Sequence, residues 1–261
     1  MKKALLVVIA AMAFTVEANA LGLRVLNHLS VGANVGTAGV GADIAMPVTK
    51  FFDIEAGVSI MPRFKYNTDL HFNLPTSIIN QYLPEPVNID NVPIQGKLVM
   101  LNGKALVNFY PIPISSFHIT AGAYFGGEDV IEVYNTEDQQ LMAVNRANEF
   151  MKANNLPYQL GLELGDYLLT PDAQGNIKAT LKTKSFKPYV GLGFGRAVPK
   201  RRVGVKFDLG AMFWGTPEVI DHNGVSLSKQ DLNGKDGGVI KVISKIKVYP
   251  VLNIRICGKI F

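Results

Sequence analysis

The chain has 261 residues, with 26 Lys+Arg against 21 Asp+Glu (+5), and is 48% hydrophobic but only 18% charged. That balance excludes a disordered polyelectrolyte, and Lys and Arg residues scattered without a basic stripe speak against nucleic-acid binding. The single cysteine, Cys257, excludes a disulfide scaffold and a cysteine-cluster metal site.

Lys2 and Lys3 precede an eleven-residue apolar run, Ala4 to Phe14, and the small-x-small triplet Ala18-Asn19-Ala20. This pattern predicts a signal peptide over 1–20 and a mature domain over 21–261. The run covers about half of a ~30 Å hydrocarbon core, which takes about 20 residues, so a membrane helix is disfavoured. No run of 18 apolar residues occurs elsewhere, and no cysteine near the cleavage site could carry a lipid anchor.

From there the chain alternates with period two. Strands are predicted near 26–36 and 38–48, joined by a tight hairpin at Gly36-Thr37-Ala38-Gly39. The next, 51–65, sets Phe52, Ile54, Ala56, Val58, Ile60 and Phe64 against Asp53, Glu55, Gly57, Ser59, Arg63 and Lys65. A long connection, 66–93, carries Pro75, Pro84, Pro86 and Pro93 and a short helix over 76–82. Strands follow at 94–110 and 117–133, the second opposing Phe117, Ile119 and Phe125 to His118, Thr120 and Tyr124. In the connection 134–180, Thr136-Glu137-Asp138-Gln139 reads as a capping box opening an amphipathic helix over 137–154. Tyr167 to Lys178 reads as a hairpin around a Pro-Asp…Gly-Asn turn. Strands at 181–197 and 202–215, a connection at 215–246 and a last strand at 247–261 complete the set.

Alternation makes one face apolar without saying which face is inside, and a soluble barrel or sandwich would turn it inward. Three features favour the inverse. The polar face mixes Gly with charge and Tyr, as a narrow lumen needs. Short turns at 48–50, 112–116 and 199–202 alternate with long connections, as in outer-membrane barrels. The chain ends on an aromatic residue, Phe261, directly after a strand. The expected fold is all-β: a closed antiparallel transmembrane β-barrel of about eight strands, ten if the loops add hairpins, with a short amphipathic helix in a long extracellular loop. Closure is required because an open edge in lipid leaves backbone groups unpaired. Ile54, Val58, Phe207 and Leu209 then face lipid. Asp43, Asp53, Glu55, Arg63, Lys104, His118, Lys206, Asp208 and Arg255 face the lumen as a mixed-sign network, with Tyr124 and Tyr189 among them. An isolated charge in so narrow a bore is costly. Asp53, Glu55 and Asp208 are therefore the expected acceptors for Lys104, Lys206 and Arg255.

Other motifs carry no chemistry. Gly191-Leu-Gly193-Phe-Gly195 lacks the spacing of a dinucleotide loop and is followed by Pro199-Lys200-Arg201-Arg202 rather than a helix. Ser116 and His118 are too isolated for a hydrolase pair, with no evident acid partner, and His28, His71 and His222 are too dispersed for a metal site. Cys257 reads as a small packed thiol. Lys200-Arg201-Arg202 reads as a solvated turn within reach of anionic headgroups. No catalytic, cofactor-binding or metal-binding residue is expected.

The stretches Lys187-Pro-Tyr-Val-Gly-Leu-Gly-Phe-Gly and Val205-Lys-Phe-Asp-Leu-Gly-Ala-Met-Phe-Trp-Gly-Thr-Pro-Glu-Val resemble a recurring strand–turn–strand of small Gram-negative outer-membrane barrels. Asn108-Phe-Tyr-Pro and Val248-Tyr-Pro-Val look like the same family, over about 150 residues, with loop insertions similar to Bacteroides-type relatives. The resemblance implies an OmpA/OmpX-like eight-stranded barrel without assigned activity, exported to the outer membrane. Its implied partners are outer-membrane lipid and lipopolysaccharide, the barrel-assembly machinery during biogenesis, and an unidentified surface ligand. One departure is that Ile260, rather than the final aromatic, holds the lipid parity. The leading expectation is a non-enzymatic barrel with an occluded lumen, structural or interacting through its loops. The alternatives are a small channel or transport-associated barrel, with ten or more strands, and a membrane-embedded lipid-modifying enzyme, with His, Ser and acid side chains converging near the outer rim.

Overall fold

A computed structural model of the chain describes residues 28–62, 65–71, 80, 81, 83, 86, 91–164, 167–224, 226 and 245–260. The expected signal sequence, Arg63 and all but two residues of the helix expected over 76–82 lie outside them.

In chain order, β1 (Ser30–Gly36) and β2 (Gly39–Pro47) form a hairpin across Thr37 and Ala38. Strand β3 (Phe52–Ile60) runs into β4 (Lys65–His71), β5 (Asn91–Leu98) into β6 (Leu101–Phe109), and β7 (Phe117–Gly126) into β8 (Asp129–Asn135). Helix α1 (Met142–Ala153) precedes a small ribbon, β9 (Leu162–Leu164) and β10 (Tyr167–Leu169). Then β11 (Lys178–Lys182) runs into β12 (Phe186–Phe194), β13 (Val203–Phe213) into β14 (Glu218–Asp221), and β15 (Val248–Lys259) ends the set. Strands β1, β15, β13, β12, β7, β6, β3 and β2 pair in that order around a closed antiparallel barrel. The barrel has eight strands, not ten.

Five staves rise past one rim. Their continuations β14, β11, β8, β5 and β4 pair as a five-stranded sheet in the same order as β13, β12, β7, β6 and β3 below them. The strands expected as single elements at 51–65, 94–110, 117–133 and 181–197 are therefore each broken in two. The breaks align. Backbone bonds Met61 N–H to Met100 O (2.8 Å), Val99 N–H to Val130 O (3.0 Å), Thr183 N–H to Glu128 O (2.8 Å) and Lys184 N–H to Trp214 O (2.9 Å) stitch neighbouring staves across one crease. These bonds keep the backbone groups they join paired where the strands break.

Helix α1 packs Val144, Ala147 and Met151 onto the sheet, in a core with Val92, Ile94, Leu160, Ile177, Ala179, Leu181 and Val219. The capping box does not form. The helix starts at Met142, its N-cap Leu141 offers no side chain, and Gln139 has a positive φ of 60°. Thr136 Oγ1 instead donates to Pro93 O (2.6 Å), and Asp138 Oδ1 accepts from Asn176 Nδ2 (2.8 Å). The hairpin expected at 167–178 is also absent, since β10 pairs back onto β9 while β11 joins β8 and β14. Its turn does form: Asp172 Oδ1 accepts the N–H groups of Gln174 (2.9 Å) and Asn176 (2.8 Å). That turn links two sheets rather than two paired strands.

The barrel is apolar outside. Val58 is 58% exposed, Phe207 50% and Leu209 63%, within a belt that runs around all eight strands. A water-soluble protein does not leave so large a contiguous apolar surface open. Rings edge the belt: Phe52, Phe117, Phe194 and Phe207 toward the short turns, Phe125, Phe186 and Phe213 toward the long loops, with Phe117 against Phe194 (5.5 Å) and Phe125 against Phe186 (5.4 Å). Phe125 lies eight positions after Phe117, and Phe194 eight positions after Phe186. At about 3.4 Å per residue and a tilt of about 40° that is about 21 Å along the barrel axis, near the ~25 Å apolar band of membrane barrels. The fold is a transmembrane β-barrel. No described helix is long and apolar enough to cross a membrane.

Candidate functional site: the barrel lumen

The inward parity carries the charge. Asp43, Glu55, Lys104, His118, Lys206, Asp208 and Arg255 are all buried, and the bore brings them into one layer. Glu55 stands at its centre, accepting from Lys104 Nζ (2.6 Å) on one oxygen and from Lys206 Nζ (3.0 Å) on the other. Asp43 accepts from Lys104 Nζ (2.8 Å), Arg255 Nε and Asn34 Nδ2 (2.7 Å). Asp208 takes Lys206 (3.1 Å) and His118 Nε2 (2.9 Å). Three carboxylates meet three cations, and each ion has at least one partner of opposite sign. The large desolvation cost of buried ions is offset only when geometry and hydrogen bonding are this complete.

Asp53 is not one of these acceptors. It lies inside, 4% exposed, but one layer nearer the turns, beside the Tyr110 hydroxyl, and its Oδ2 has no hydrogen-bond partner. Asp43 takes the place expected for it. The reason is height: Asp53 faces Asn108, whereas Asp43, Gly57 and Lys104 form one row across three strands.

Glycines let side chains span that distance. Gly57 sits between Asp43 and Lys104, and Gly193 sits between His118 and Asp208 in the same way. A Cβ on Gly193 would overlap both Phe207 O and His118 Nε2. Gly193→Val should therefore lower barrel stability by about 1–3 kcal/mol through overpacking. Thermal unfolding followed by gel mobility checks this, and an unchanged midpoint would contradict this packing. The run Gly191-Leu-Gly193-Phe-Gly195 thus serves the lumen.

At the turn end the chain itself folds into the bore. Gly195 has a φ of 108°, and Arg196–Val198 fold inward from it. Ala197 O accepts from Ser30 Oγ (2.6 Å) and Arg255 Nη1 (2.6 Å), and Ala197 N–H donates to Tyr110 Oη (3.0 Å). Arg196 lies over the Tyr110 ring, 4.6 Å from its centroid, and donates to the carbonyls of Pro113 and Ser115. Toward the loops the filling changes character: Leu106, Tyr124, Tyr189, Met212, Trp214 and Val251 pack together, with Tyr124 edge-on to Tyr189 (5.4 Å). Lys187, fully buried, donates to Asn102 Oδ1 (2.9 Å) and Gly127 O (3.1 Å). The inward tuck of Arg196–Val198 and the roles of Asn34 and Lys187 were missed in the sequence. Parity alone could have placed Asn34 and Lys187 inside.

His118 has an acid partner after all, Asp208, and its other ring nitrogen faces the backbone carbonyl of Ser116 (3.3 Å) rather than that residue's hydroxyl. Cys257 is a buried free thiol against the carbonyls of Arg196 (3.6 Å) and Gly204 (3.5 Å). No cluster of metal-ligating side chains occurs among the described residues.

No protein-family model matches the chain, and no curated protein matches it. Among solved structures it is similar to CarO2 of Acinetobacter baumannii, at 17% identity over 90% of this chain and 99% of that one, with a TM-score of 0.47. It is similar to Acinetobacter baumannii CarO at 15% identity, over 88% and 96% of the two chains, TM-score 0.45. A major outer membrane protein from Thermus thermophilus matches at 15% identity, over 89% and 98%, TM-score 0.31.

Proposed function

We propose that this chain is an outer-membrane β-barrel that passes no solute and catalyses no reaction, and that its work is done by the sheet and helix it carries beyond the rim. The observation that supports this most directly is the filled bore. Ion pairs of both signs cross it at Glu55, with the Arg196–Val198 tuck on one side and the Tyr124–Tyr189 layer on the other. A conducting lumen would hold its charges apart and wet. His118, the one described imidazole in the bore, is fully buried and engaged on both ring nitrogens, which favours the non-enzymatic reading.

In this reading the short turns face the periplasm and the sheet faces outward. The barrel anchors a platform with its own hydrophobic core, serving envelope structure or surface contact. A pocket of about 490 Å³ between α1 and the segment Leu156–Gln159 opens on that platform, lined by Glu149, Lys152 and Tyr158. The purified chain should show no stable conductance in planar bilayers. Reproducible single-channel steps would overturn the occluded reading and promote a channel.

A further inference from the structure

We infer that the turn end of the barrel binds an anionic phospholipid, its phosphate held by Lys200, Arg201 and Arg202 and an acyl chain lying in a slot over Gly258. This names a lipid partner for the membrane-spanning barrel. It rests on the outer-membrane reading only in choosing phospholipid over lipopolysaccharide as the phosphate carrier.

The first observation is charge. Among the described residues of the three short turns and the neighbouring ends of β1 and β15, every charged side chain is cationic: Lys50, Arg196, Lys200, Arg201, Arg202 and Lys259. Asp53, which follows the first of these turns, is buried and turned into the bore. The opposite end mixes both signs, with Glu128, Asp129, Glu137, Asp172, Lys178 and Lys184. Arg196 is spent on the inward tuck. Lys259 lies on the inward parity of β15, opposite the buried Ser30, which leaves the exposed Lys200, Arg201 and Arg202 at one corner, tied to β15 by the backbone bond from Lys259 N–H to Arg202 O (2.8 Å). Guanidinium groups match phosphate oxygens in geometry as well as in sign.

The second observation is the wall beside that corner. Val203 (65% exposed), Val205, Ile256 and Ile260 form its lipid-facing surface. In the row Val31, Gly258, Val203 across β1, β15 and β13, the middle position has no side chain. A Cβ there would meet only Arg202 O, at 3.8 Å. An apolar slot thus opens directly off the cationic corner, in the order headgroup then chain. A free phosphate would use the corner alone, and a zwitterionic lipid the slot without the net charge.

The test uses the full-length mature chain purified in non-ionic detergent, with lipid retention read by native mass spectrometry. Dioleoylphosphatidylglycerol should be retained at least about fivefold over dioleoylphosphatidylcholine at low salt, with the gap narrowing at about 0.5 M NaCl. The triple variant Lys200→Gln/Arg201→Gln/Arg202→Gln should lose the preference, while Lys152→Gln/Lys178→Gln/Lys184→Gln at the other end keeps it. Gly258→Leu, which fills the slot and leaves every cation in place, should lower retention as well. Excess glycerol phosphate should not displace the lipid. Equal retention of the two lipids, unchanged retention in the turn triple or in Gly258→Leu, or displacement by glycerol phosphate would each overturn the assignment. Conductance would sink the occluded reading and leave this measurement untouched.

Discussion

Glu55→Leu is expected to destabilise the barrel by about 3 kcal/mol, the lower end of the range of about 3–5 kcal/mol for breaking a buried ion pair. Glu55 is fully buried and serves Lys104 and Lys206 with separate oxygens. Its loss leaves three cations facing two carboxylates. Lys104 keeps Asp43 and Lys206 keeps Asp208, which holds the effect to that lower end. Urea unfolding in micelles, followed by the fluorescence of the single tryptophan, Trp214, measures it. Adding Lys206→Met should recover much of the loss, because an apolar replacement of a whole buried pair is often neutral. Salt should change neither result much, since the groups are shielded from solvent ions. A single variant as stable as the parent, or a double variant no better than the single, would contradict the network.

Leu209→Arg is expected to cost about 2–4 kcal/mol, the penalty for Arg on the lipid face near the midplane of a membrane barrel. Leu209 is 63% exposed and lies between Phe207 and Phe213 of the two aromatic belts. In water an exposed leucine tolerates arginine, so the penalty arises only if that face meets hydrocarbon. Ala173→Arg, on an exposed turn of the platform, is the matched control and should be near neutral. Equal stability of the two variants in lipid would contradict the outward orientation of the apolar face.

What the sequence determined by itself was parity. Successive side chains of a strand point to opposite faces, so Ile54 and Asp53, or Leu209 and Asp208, are sorted to lipid and lumen wherever the strand sits. Short turns against long connections then implied a closed, inverted barrel. Tertiary structure decided height and neighbours. Asp43 rather than Asp53 joins Lys104 because strand stagger sets them in one row across Gly57. The crease that divides five staves depends on breaks after Ile60, Leu98, Gly126, Lys182 and Phe213 lining up, and each alone reads as an irregularity within a continuous strand. The inward tuck of Arg196–Val198 needs side-chain partners from β1, β15 and the residue after β6 at once: Ser30, Arg255 and Tyr110. Those partners are 87 to 167 residues away for Tyr110 and Ser30. A period-two pattern carries no information over that distance, because it records which face a residue takes and not which residues closure of the ring brings opposite it.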